Sequence, residues 1–163
     1  MPLLIVGSSQ GAAATAFALG EEPTLADALV LDGAYGRMDR AVRGFLNFLF
    51  GRRVAKLFAP GVPVTALFLG FSPYGKDVAA ALYAMGPKPV LIFHGENDII
   101  AYPSEARRNV EALQGPTTVV WQPATGHAEG RWERAEEYHA ALLKFVNELT
   151  LPSSLPRAIA PDP

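Results

Sequence analysis

An α/β fold, a parallel sheet of about four strands flanked by helices, is predicted from three observations. Four short apolar runs recur along the chain, Leu3–Val6, Ala28–Leu31, Val90–Phe93 and Thr117–Trp121, each followed by a segment with helical character. Three of these runs end in clusters of polar residues, and strand ends are where open α/β sheets gather their chemistry. The first run leads into Gly7-Ser8-Ser9-Gln10-Gly11, a G-x-S-x-G pattern between a strand and an Ala-rich helix.

At this first turn, small residues flank Ser9, so the serine can be held at positive φ with its hydroxyl clear of the strand end. Gly7 and Gly11 are expected to remove Cβ atoms that would collide where the strand folds back on its helix. The backbone N–H of Gln10 and the positive end of the helix dipole then face a developing oxyanion.

The helix from Ala12 to Leu19 is rich in small residues and can approach the sheet closely. Ala28–Leu31 is a second buried strand ending at Asp32-Gly33, and the strand-helix-strand order implies a right-handed crossover. Between Arg37 and Phe71, Val42, Phe45, Leu46, Leu49 and Phe50 recur at helical spacing among six cations. One reading is a helix laid over the domain with its cations in water; the other is a cap over a site, touching membrane or acyl chains through its Phe-rich face. Pro60, Gly61 and Pro63 break this segment, Val64–Phe71 is ambiguous, and a helix is expected from about Lys76 to Met85. Val90–Phe93 is the third strand and ends in His94-Gly95-Glu96-Asn97-Asp98. Pro103 starts a helix that stops at Gly115. Thr117–Trp121 is the fourth strand, followed by a loop to His127. A last helix runs from about Trp132 to Leu149 with Tyr138, Leu142, Phe145, Val146 and Leu149 inward. One domain over residues 1–150 is expected, with a proline-rich tail, 151–163, expected to be disordered.

Half of the 163 residues are hydrophobic, 18% are charged and the formal net charge is −2, the balance of a folded globular chain with no basic field for nucleic acid. Without cysteine there is no disulfide framework, thiolate metal site or cysteine nucleophile. That composition fits a reducing compartment, and a cytoplasmic location is expected. The start of the chain lacks the basic n-region of a signal peptide, and no apolar run reaches the roughly 18 residues of a membrane span. No cofactor and no metal are expected.

Ser9, Asp98 and His127 fall at three strand ends in the order Ser, Asp, His. A serine hydroxyl is a weak nucleophile: it needs a base within hydrogen-bond reach, and the base needs a carboxylate to fix its tautomer. Each residue also has a plainer reading, Ser9 as a turn residue, Asp98 as a helix cap and His127 as a surface histidine. Asp32 competes as the acid; Asp98 is favoured because its strand lies nearest in sequence to the one preceding His127. His94 is expected to hydrogen-bond within its turn and His139 to be solvated.

Taken with Asp32-Gly33-Ala34-Tyr35, Pro89–Asp98, Tyr102-Pro103 and Gly126-His127, the G-x-S-x-G turn makes residues 3–149 resemble the C-terminal half of an α/β-hydrolase fold. The likeness is greatest to the Bem46-like and serine-aminopeptidase-like branch. It implies Ser9 as nucleophile, Asp98 as acid, His127 as base, the Gln10 N–H as one oxyanion donor, and a cap insertion over about 36–75. The motifs are silent on substrate; the first functional hypothesis is a serine hydrolase that cleaves a small-molecule ester, thioester or amide through an acyl-enzyme. Members of that superfamily carry about four strands before the turn, and a loop among them supplies a second oxyanion donor, whose loss typically costs about 10²–10³ in rate. Here the turn strand is expected at an exposed apolar edge. Three arrangements follow: a fragment of a longer product, a homo-oligomer or complex covering the edge, or a shortened and weakly active relative. The alternative to an enzyme is an interaction module that pairs through that edge.

Overall fold

The computed structural model describes residues 2–70 and 72–150, with the side chains of Thr65, Ala66 and Leu69 excepted. The proline-rich segment 151–163 lies outside the described residues. Four strands, β1 (Leu4–Ser8), β2 (Ala28–Asp32), β3 (Val90–Gly95) and β4 (Thr117–Gln122), form one parallel sheet in chain order. Among the described residues seven α-helices accompany them, with one 3-10 turn at Pro23–Leu25: α1 (Gln10–Glu21), α2 (Met38–Phe58), α3 (Gly61–Leu69), α4 (Val78–Ala84), α5 (Pro103–Ala112), α6 (Gly130–Glu133) and α7 (Ala135–Thr150).

The register follows from the alternation of strand side chains. Leu29 and Leu31 of β2 and Val90 and Ile92 of β3 face Ala12, Ala16 and Leu19 of α1 and Leu82 of α4. Ala28, Val30, Leu91 and Phe93 face the other way, against Tyr138 and Phe145 of α7. Both faces of β2 and β3 are buried, which is why these strands read as continuous apolar runs. Phe93 and Tyr138 stack with ring centroids 3.8 Å apart. Among the described residues β1 pairs on one side only, and Val6 at its centre is 56% exposed.

Two expected elements differ. The last helix is broken at Arg134, whose φ/ψ of −131°/44° is not helical, leaving a single turn, α6, ahead of α7. The larger difference is in the insertion. Of its two readings, a helix laid over the domain on its apolar stripe and a cap with a Phe-rich outer face, the first does not hold for Phe45, Leu49 and Phe50 of α2, all three of which are exposed. Its inward contacts are made instead by Met38, Ala41, Gly44 and Ala55. The reason is close approach: a Cβ at Gly44 would lie 2.6 Å from the carbonyl oxygen of Ile100, so at this position the helix backbone packs directly on the loop after β3, closer than a larger residue would allow. Gly51, at φ 74°, then kinks α2 into two pieces. The ambiguous run after Pro63 is helical, as α3. The foot of the insertion is closed by an antiparallel bridge between Arg37 and Asp77 and a bond from the Val78 N–H to the Gly36 carbonyl, 2.8 Å.

Candidate active site

Ser9 sits between β1 and α1 with φ 53° and ψ −116°, a conformation that costs about 1–3 kcal/mol unless its surroundings impose it. They do. The Ser9 N–H donates to the Asp32 carbonyl at 2.8 Å, and its own carbonyl accepts from Ala13 at 3.2 Å. A Cβ at Gly7 would lie 2.7 Å from Cα of Ala12, so only glycine lets the strand and helix close this tightly. Gly11 differs from expectation: its Cβ would meet nothing within 4 Å, because it sits on the exposed first turn of α1.

The Ser9 hydroxyl donates to Nε2 of His127 at 2.6 Å, and Nδ1–H of His127 donates to Oδ2 of Asp98 at 2.7 Å. A carboxylate can only accept, so the proton resides on Nδ1 and leaves Nε2 free to take one from Ser9. Asp98 is buried, and its second oxygen accepts from the N–H groups of Ile100 and Ala101, both at 2.8 Å. Three donors therefore hold this carboxylate and fix its plane. His94 anchors the same loop: its Nε2–H donates to the Ala101 carbonyl at 2.9 Å. Burial lowers the His94 pKa, which keeps the ring neutral beside Asp98. His139 is exposed.

The structure thus brings Ser9, His127 and Asp98 into one hydrogen-bonded chain and leaves Asp32 outside it. Asp32 is buried at the end of β2; one oxygen lies 3.5 Å from the Tyr138 hydroxyl and the other has no partner among the described residues. Burial raises its pKa, against the pull of Arg131 and His127. The neighbouring Tyr138 is pushed up to about 12 by burial and by Asp32.

Gln10 opens α1 with its backbone N–H at the positive end of that helix. Its side chain is held by a contact that the sequence did not reveal: the Tyr35 hydroxyl donates to Oε1 at 3.1 Å, and Asn109 Nδ2 donates to the Tyr35 carbonyl, also at 3.1 Å. Tyr35 follows β2 by three residues, but no spacing rule says that its ring returns to α1. Glu105, likewise unanticipated, is buried on α5 and bonded to Arg40 of α2. Among the described residues no group of three acidic, histidine or cysteine side chains could hold a metal.

No protein-family sequence profile and no curated protein sequence matches this chain. Solved structures do. The candidate non-heme bromoperoxidase BpoC of Mycobacterium tuberculosis superposes with a TM-score of 0.67 at 22% identity, over 92% of this chain and 68% of its own. The Pyrococcus furiosus esterase Pf2001 gives 0.63 at 16%, over 89% of this chain and 52% of its own. An α/β hydrolase enzyme from a lagoon-sediment metagenome gives 0.62 at 24%, over 91% of this chain and 62% of its own. The four-stranded α/β architecture matches the corresponding part of an α/β-hydrolase fold. At these identities the likeness concerns the fold, and this chain spans between about half and two thirds of the length of the proteins it matches.

Proposed function

We propose that the chain is a serine hydrolase that cleaves an ester, thioester or amide through an acyl-enzyme, with Ser9 as nucleophile, His127 as base and Asp98 as the acid that orients it. The observation that carries this reading is the 2.6 Å contact between the Ser9 hydroxyl and Nε2 of a histidine whose other nitrogen is bonded to a buried carboxylate held by two backbone N–H groups. Nε2 takes the Ser9 proton as Oγ attacks the acyl carbonyl. The oxyanion is stabilised by the Gln10 N–H at the start of α1. His127 then passes its proton to the leaving oxygen, sulfur or nitrogen, and the acyl-serine forms. Water, deprotonated by the same Nε2, releases the acid and restores Ser9. Within the superfamily, the motifs around Asp98 and His127 support a place near the Bem46-like and serine-aminopeptidase-like branch.

Hydrolysis of a short-chain p-nitrophenyl ester by the purified chain, compared with its Ser9→Ala variant, tests this reading. Turnover that disappears with Ser9 is expected; equal rates for the two proteins would reject it.

A second reading, an interaction module that pairs through β1, is favoured by the exposed Val6 on a strand bonded on one side only among the described residues. It requires self-association or capture of a strand-bearing partner, and a folded monomer at micromolar concentration that binds no such partner argues against it.

A further inference from the structure

We propose that the helical insertion formed by α2 and α3 docks on an anionic lipid surface. Three observations carry this inference. Ten large apolar side chains between Phe45 and Phe68 are exposed, and Leu57, Leu67 and Phe68 are 79%, 81% and 85% exposed. Large apolar side chains exposed in such number on one segment mark an interaction surface rather than a solvated one. The second observation is charge. Residues 37–70 carry six cations and one acid, a formal +5 in a chain whose total is −2. Arg37 and Arg40 are bonded to carboxylates, whereas Arg43, Arg52, Arg53 and Lys56 are exposed and make no ion pair among the described residues.

The third is their arrangement. α3 contains no charged residue and presents Val64, Leu67 and Phe68, while Arg52, Arg53 and Lys56 lie on the short piece of α2 just before it. A cavity of about 340 Å³ between α2 and the start of α3 has Arg43, Arg52 and Lys56 in its lining together with Val42 and Val62, and one acid, Asp39, which is paired with Arg37. Apolar side chains that enter the acyl boundary while cations meet headgroup phosphates are the interfacial pattern. Charge complementarity selects this occupant over a second copy of the chain, because two copies meeting through this face would bring the four cations without an ion pair among the described residues, Arg43, Arg52, Arg53 and Lys56, against their like. Among the described residues no helix is long and apolar enough to cross a membrane, and the proposed contact is a surface one.

The test is co-sedimentation of the full chain with phosphatidylcholine vesicles, with and without phosphatidylglycerol, at low and high salt. Binding to the phosphatidylglycerol vesicles alone, weakened by salt, is expected. Leu67→Ser with Phe68→Ser, and separately Arg52→Glu with Arg53→Glu, should each weaken it about tenfold or more, since each cation near an anionic surface contributes by that order or somewhat less. All four side chains are exposed, so both variants should keep the wild-type melting curve. If a variant unfolds, the salt and lipid dependence of the wild type still decides. Ser9→Ala should bind as wild type does, which separates docking from the proposed chemistry. The proposal is overturned if the wild type stays in the supernatant with both vesicle types, if it binds both equally, or if the Leu67/Phe68 variant merely dissolves a dimer that ignores vesicles.

Discussion

At the scale of single residues, the site depends on how few freedoms its members retain. Asp98 accepts three hydrogen bonds from the backbone and His127, so Asp98→Asn keeps the shape while favouring the wrong histidine tautomer. We expect kcat/KM for an ester to fall by about 10⁴ in that variant, with its melting temperature little changed. The two turn glycines separate by the space around them. Gly7→Ala forces a Cβ onto the Ala12 backbone and should destabilise by about 1–3 kcal/mol; Gly11→Ala, on an open helical turn, should stabilise by about 0.5–1 kcal/mol. Urea unfolding of the two variants checks both signs. The G-x-S-x-G spacing announces the turn, but it treats these glycines alike, because a spacing carries no information about which side of the helix meets the strand. Ser9, Asp98 and His127 were legible because each follows an apolar strand. Tyr35 and Asn109 were not, since a tyrosine hydroxyl and an asparagine amide can bond many partners and neither residue type implies a particular one.

Asp32 adds a dependence on pH. Its native pKa is raised by burial, so the folded state holds the proton more firmly than the unfolded chain. Its contribution is therefore fully present below the unfolded value of 3.8 and is lost as pH rises through the raised native value. Asp32→Asn removes that loss. The melting temperature of the variant relative to wild type should increase as pH rises from 4 towards neutrality, and thermal melts across this range measure the slope.

At the scale of elements, β2 and β3 were readable because burial on both faces gives unbroken apolar runs. The insertion was not, because its packing follows its small residues. Periodicity identifies Phe45, Leu49 and Phe50 as a stripe, but contact is made where the backbone can approach, at Gly44 over Ile100. That contact ties α2 to the loop that holds Asp98, whose N–H donors are those of Ile100 and Ala101. Gly44→Val should therefore lift α2 and disturb the acid loop together. Faster proteolysis within α2, accompanied by loss of esterase turnover, is the expected pair of outcomes; cleavage without any change in turnover would show the two to be independent.

For the whole molecule, four parallel strands in chain order bring three loops to one edge of the sheet, where residues 118 positions apart in sequence meet at 2.6 Å. The same topology leaves β1 bonded on one side among the described residues. The proposed activity thus rests on a nucleophile at the margin of the sheet, with the Gln10 N–H as its assigned oxyanion donor. The most direct measurement is the reaction of the folded, purified chain with a fluorophosphonate, followed by mass spectrometry of its peptides. One adduct on Ser9, absent from His127→Ala, is the predicted result. No adduct on a protein that melts cooperatively, or an adduct on Ser9 that forms as quickly without His127, would contradict the account.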